Sequence, residues 1–234
     1  TGSGSNIAYA EIVMENKESR LANLPKLVGF FTTGNGDYYK ATVSQQETAT
    51  VPGGKSLVTL WAKVPRTVDT KQLKLLIGQG VANNKLVAPQ EEPTAFVNAA
   101  LFELPPEVKE PSKTLIGMDL TPYTLSIRSF DAKLVGGGMV QVEMDYELHI
   151  DQNYEFGSVE HKLLLQIMDN GTGALLEREV SLNELSEGYK TYSYTVSDSS
   201  LDDRSYGIYT LNVYDVFEGQ RRLIGTQSLF YSSN

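Results

Sequence analysis

The chain has no cysteine among its 234 residues, which excludes disulfides, thiolate metal sites and thiol nucleophiles. That absence fixes no compartment. Proteins outside a Gram-positive cell often do without disulfides, and a cytosolic protein can lack cysteine too. Histidine is nearly absent, with His149 and His161 the only two. A serine triad needs a histidine placed to take a proton. His149 falls on the polar side of an alternating strand, His161 begins another, and no Gly-x-Ser-x-Gly elbow exists. No run of about 18 apolar residues is present to span a bilayer as a helix. The chain opens Thr1-Gly2-Ser3-Gly4-Ser5 without Met or an apolar leader. Those five residues read as linker, with any signal peptide removed or never attached.

Basic residues are outnumbered, 20 Lys and Arg against 29 Asp and Glu, for a net charge of −9. The excess is confined to one half. Residues 1–110 hold eleven of each sign, so residues 111–234 hold nine basic against eighteen acidic groups. An acidic half of this kind repels phosphate backbones and anionic lipid, so neither nucleic acid nor a membrane is expected as partner. Gly53-Gly54-Lys55-Ser56 has the ending of a phosphate-binding loop, but Ala49 stands where the first glycine belongs and a strand follows instead of a helix. It is a turn.

What the chain does have is alternation. From Val140 to Ile150 every even residue is apolar and every odd one polar or charged, which is a strand with one face in a core and the other in water. Similar strands are expected over 7–16, 27–31, 38–43, 56–64, 72–79 and 95–104 in the first half. Residues 81–93 read as irregular loop. In the second half strands are expected over 123–134, 140–150, 161–168, 174–180, 190–196, 207–217 and 222–231. Gly34-Asn35-Gly36-Asp37, Gly136-Gly137-Gly138 and Asp169-Asn170-Gly171-Thr172-Gly173 are turns, and Ser181 with Glu184 has capping-box spacing. Pro105, Pro106 and Pro111 lie among charged residues where the charge balance changes. The expected organisation is therefore a domain over 6–104, a proline-rich linker over 105–114 and an acidic domain over 115–234. The fold class is all-β, two antiparallel sandwiches in tandem.

Ser205-Tyr206-Gly207-Ile208-Tyr209-Thr210-Leu211 resembles the approach to the sixth strand of immunoglobulin-like and fibronectin-III-like domains, where a glycine two residues before a tyrosine leads into a tyrosine corner. Leu211 stands where a cysteine is frequent, and the second half has no Trp, so an antibody-type domain is ruled out. The first half, with its strand ending at Asn16, its Pro25-led strand, and Pro52-Gly53 before a long strand, is similar in plan to the immunoglobulin-like modules of bacterial secreted and cell-surface proteins.

Three residue groups carry side chains capable of chemistry. Glu143, Asp145 and Glu147 stand about 7 Å apart along one strand face and form a solvated acidic row, with no cleft signal for a glycosidase pair. Asp198, Asp202 and Asp203 crowd one loop with oxygen ligands of the kind calcium takes, at a spacing that fits no EF-hand. Trp61 and the thirteen tyrosines supply flat faces for sugar stacking, but most of the tyrosines occupy alternating core positions. The expectation is a non-enzymatic, extracellular structural or adhesive module of a bacterial surface protein or assembly. It would bind a protein partner or itself through loops or edge strands, or a cell-surface glycan. A carbohydrate-binding module is the alternative. No catalytic, cofactor or metal residue is assigned, and calcium is the one cofactor left open.

Overall fold

The computed structural model describes residues 4–45, 49–104, 110–156, 162–203 and 206–233. His161, Ser205 and residues 105–109 of the expected linker lie outside them. The chain divides into two compact units, one of residues 1–108 with 152–159, the other of residues 109–151 with 160–234.

The first unit contains β1 (Ser5–Glu15), β2 (Ala22–Asn23), β3 (Leu27–Thr32), β4 (Tyr38–Lys40), β5 (Thr42–Ser44), β6 (Ala49–Thr50), β7 (Lys55–Pro65), β8 (Lys74–Ala82), β9 (Lys85–Leu86) and β10 (Ala95–Glu103). One layer pairs β1 with β7 antiparallel along all of β1, from Ser5 opposite Pro65 to Glu15 opposite Lys55. The other runs β10-β8-β3-β4. The core between them is Ala8, Ala10, Leu27, Phe31, Val58, Leu60, Ala62, Val64, Leu75 and Ile77, the inward residues of β1, β3, β7 and β8. The expected strand over 38–43 is in fact two. β4 pairs with β3, the chain turns at Ala41, and β5 pairs with β7 in the opposite layer. The 81–93 stretch is not all loop either. Asn83 and Asn84 both take positive φ, 51° and 60°, and turn β8 back onto β9. Asparagine tolerates that left-handed geometry, which is what a two-residue hairpin turn requires.

Asn16 ties the end of β1 to the turn beyond it. Its buried side chain donates to the carbonyls of Arg20 and Thr50, both at 2.9 Å, and accepts from the Glu18 N–H at 2.9 Å. Asn16→Ala removes all three and leaves the Thr50 carbonyl without that donor. The expected cost is about 2–3 kcal/mol of first-unit stability, read as a lower urea midpoint by fluorescence of Trp61.

The second unit contains β11 (Met118–Leu120), β12 (Tyr123–Leu134), β13 (Met139–Ile150), β15 (Lys162–Asp169), β16 (Leu175–Ser181), β17 (Gly188–Ser197), β18 (Gly207–Phe217) and β19 (Gln220–Ser233). Between β13 and β15, β14 (Tyr154–Phe156) belongs to the first unit, where it runs parallel to β7 with Tyr154 opposite Lys55. In the second unit one layer is β12-β13-β17 and the other β16-β15-β18-β19, joined where Ala132–Leu134 runs parallel to Tyr231–Ser233. Counting from β12, with the three-residue β11 paired at its side, strands one, two and five thus face strands three, four, six and seven, which is the plan of an immunoglobulin-like sandwich. The alternation of β13 decides its burial: Val140, Val142, Met144, Tyr146 and Leu148 are all buried, and Gln141, Glu143, Glu147 and His149 are exposed. Ser181 caps a short helical turn, with the reciprocal Glu184 bond to the Ser181 N–H. The tyrosine corner is not formed. Tyr209 is buried on β18, and its hydroxyl reaches the carbonyl of Phe130, 3.5 Å away and 79 residues upstream.

Candidate interaction surface

The layer orders of the two units match place for place. β4-β3-β8-β10 of the first corresponds to β16-β15-β18-β19 of the second, and β1-β7 corresponds to β13-β17. The second unit has one more strand in this frame, β12, paired with β13 from Tyr123 opposite Ile150 to Leu134 opposite Val140. Among the described residues of the first unit no strand takes that place, so β1 and β10 are both the last strands of their layers. They lie on the same side of the sandwich, because the single residue Ala41 between β4 and β5 brings the opposite ends of the two layers together.

The consequence is seen in β10. All nine of its residues are exposed, among them Phe96 at 37%, Val97 at 42%, Leu101 at 55% and Phe102 at 50%. Phe102 stands opposite Leu75 and Ala100 opposite Ile77, and Leu75 and Ile77 point into the core. Phe102 and Ala100 therefore face inward with no described strand over them. Leu101, opposite Leu76, faces outward on the other side. An ordinary edge strand is blunted by charge, proline or brevity. β10 is long and apolar on both faces, and Glu103 at its end is its only charged residue.

The outward side of the same layer is apolar as well. The Phe30 ring lies 5.7 Å from Phe96 and 6.4 Å from Tyr38. Beside them a cavity of about 780 Å³ is lined by Lys26, Val28, Phe30, Lys40, Pro93 and Phe96. Gly78 makes room for this packing, since a Cβ there would meet the Phe96 ring at 2.5 Å. Lys26 is committed to the Pro89 carbonyl at 2.6 Å.

The acidic groups and Trp61 fall elsewhere. Asp145 accepts from Ser129 at 2.8 Å and from Thr191 at 2.6 Å, and these hydroxyls hold its carboxyl below the usual carboxylate range. Glu147 pairs with Arg128. Asp145 and Glu147 are thus held by their neighbours across the sheet. Asp198 accepts from the Ser200 N–H at 2.8 Å and hydroxyl at 2.7 Å, capping the turn over Ser199–Leu201, and those bonds lower its pKa. Among the described residues no group of three His, Asp or Glu is placed to hold a metal ion. Trp61 is half-buried, with Tyr9 as its cross-strand neighbour, on the face of β7 that points away from the core. Among the described residues no helix is long and apolar enough to cross a membrane.

Neither a protein-family pattern nor any curated protein sequence matches the chain. Solved structures resemble it faintly. They include the FN1–FN3 domains of chicken CNTN1, at 10% identity and a TM-score of 0.29 over 99% of this chain and 66% of that one. A DUF4785 family protein from Legionella pneumophila gives 9% and 0.26 over 96% and 53%. A glycosyl hydrolase family 2 member from Bacteroides cellulosilyticus gives 9% and 0.26 over 96% and 26%. The chain thus spans less than two thirds of the CNTN1 chain and about half of the DUF4785 protein. Likeness at this level carries no activity over to this chain.

Proposed function

We propose that this protein is a non-enzymatic structural or adhesive module of a bacterial surface protein or surface assembly, working outside the cell through an open sheet edge in its first unit. The observation that carries this reading is β10, an edge strand of nine exposed residues with large apolar side chains on both faces. An edge of this kind offers unpaired N–H and C=O groups to another strand while apolar side chains supply the contact area. The second unit, which carries the negative charge, keeps such a protein dispersed while the first unit makes the contact.

The test is light scattering after size exclusion from about 1 μM to 1 mM, the range in which weak contacts become populated. The average mass is expected to rise with concentration. In Leu101→Lys with Phe102→Lys it should stay at the monomer value, because two ammonium groups would have to be desolvated against the approaching strand. A wild-type protein that is strictly monomeric throughout would overturn edge-driven association.

A further inference from the structure

We infer that the first unit accepts, in the place beside β1 and β10 that no described strand fills, an extended segment of another polypeptide that is apolar at alternate residues and basic on its outward side. The inference rests on the edge-strand reading above and specifies what docks there. The second unit shows what a filled place looks like. β12 pairs along the whole of β13 and, at its far end, runs parallel to β19, so one strand closes both layers. Its inward residues Leu125, Ile127, Ala132 and Leu134 are buried. In the first unit the equivalents of β13 and β19 are β1 and β10, and no described strand covers either. The inward residues Ala100 and Phe102 of β10 are left exposed for that reason. Only another strand meets both needs at once, bonding the outer backbone edge of β1 and covering the apolar faces beside it.

Charge selects the kind of strand. β1 carries Glu11 and Glu15 on its outward side, and neither β1 nor β10 has a Lys or Arg; Glu103 at the end of β10 is already paired with Lys74 at 2.8 Å. In the second unit two of the three acids of β13 are answered from β12, with Arg128 bound to Glu147 and the Ser129 hydroxyl bound to Asp145, while Glu143 stands opposite Asp131. By the same cross-strand rule, the strand beside β1 carries cations or hydroxyls opposite Glu11 and Glu15.

Two nine-residue peptides test this, Lys-Val-Thr-Val-Lys-Val-Thr-Val-Lys and its counterpart with Glu at each Lys. They are added to the whole protein while amide exchange of β1 and β10 is followed by NMR. The lysine peptide is expected to bind saturably and slow exchange in both strands, and the glutamate peptide to bind about tenfold more weakly, as like charges across two pairs require. Glu11→Lys with Glu15→Lys should invert that order. If neither peptide slows exchange of β1, the inference is wrong. It is also wrong if β1 is already protected without peptide: protection of β1 at every concentration identifies a segment of the chain itself as occupant, and protection of β1 that grows with concentration identifies a second copy, whereas self-association through β10 alone leaves β1 exchanging. The mass of the Leu101→Lys, Phe102→Lys protein reads the broader edge-strand proposal independently of these outcomes.

Discussion

Phe31→Ala is expected to cost the first unit about 3–5 kcal/mol, the range for emptying a fully enclosed aromatic site. Phe31 has no exposed surface, and it sits on β3 among Leu60 and Leu75 at the centre of the smaller core. Relaxation around the gap is limited. β3 is held on one side by β8 through six consecutive pairs, from Leu27 opposite Gln79 to Thr32 opposite Lys74, and on the other by β4. Domains are stable by only about 5–15 kcal/mol, so the loss is a large share of the total. Trp61 makes the result readable, since it is the chain's only tryptophan and lies in the first unit. Its fluorescence midpoint in urea should fall far more than the remaining far-UV circular dichroism transition. Phe31→Leu, which keeps most of the volume, should cost about 1 kcal/mol. Equal costs for the two substitutions would mean that the site collapses freely around a smaller side chain, contrary to its placement between two paired strands.

The alternation of β13, β7 and β18 was legible because a period of two states directly which residues meet the core, and each of these strands has one face in the core cluster of its unit. The turns at 34–37, 136–138 and 169–173 were legible through glycine, which takes positive φ in all three. What alternation does not state is which strand lies beside which. Ala95-Phe96-Val97-Asn98-Ala99-Ala100-Leu101-Phe102-Glu103 has the composition of a strand buried on both sides, and it is exposed on both. That reversal depends on a neighbour that the fold places or withholds, a long-range fact that no local pattern encodes. β14 is not legible in the sequence for a related reason. Three residues cannot display a period, and their partners at Lys55–Leu57 lie about a hundred positions earlier in the chain. The hairpin at Asn83-Asn84 did leave a signal, two adjacent residues that tolerate left-handed backbone between Val81 and Leu86. The resemblance around Tyr209 pointed to the right strand and the wrong contact, because the corner bond depends on where the hydroxyl ends, and here it ends against Phe130 in β12.

Gly138→Ala should cost the second unit about 3–5 kcal/mol, the sum of left-handed strain and overpacking against a fixed neighbour, while Gly137→Ala costs about 1–2 kcal/mol from strain alone. The three glycines of this turn share positive φ, at 85°, 59° and 64° for Gly136, Gly137 and Gly138. Backbone conformation therefore does not separate them. Space does. A Cβ on Gly136 or Gly137 meets nothing within 4 Å, whereas one on Gly138 would stand 2.3 Å from the Asp198 carbonyl oxygen. That oxygen is backbone, and its residue is bound to the turn in return, with the Asp198 N–H donating to the Gly138 carbonyl at 3.0 Å. Moving it drags the capped turn over Ser199–Leu201, whose Leu201 is buried in the second core. The loop that holds Asp198 and Asp202 is thus shaped by its fit over a glycine, and its carboxylate at Asp198 is spent on the cap. Urea denaturation of both variants followed by far-UV circular dichroism checks the difference. Equal losses for Gly137→Ala and Gly138→Ala would show that the Asp198 loop lifts away from the turn at little cost, and that Leu201 does not anchor it.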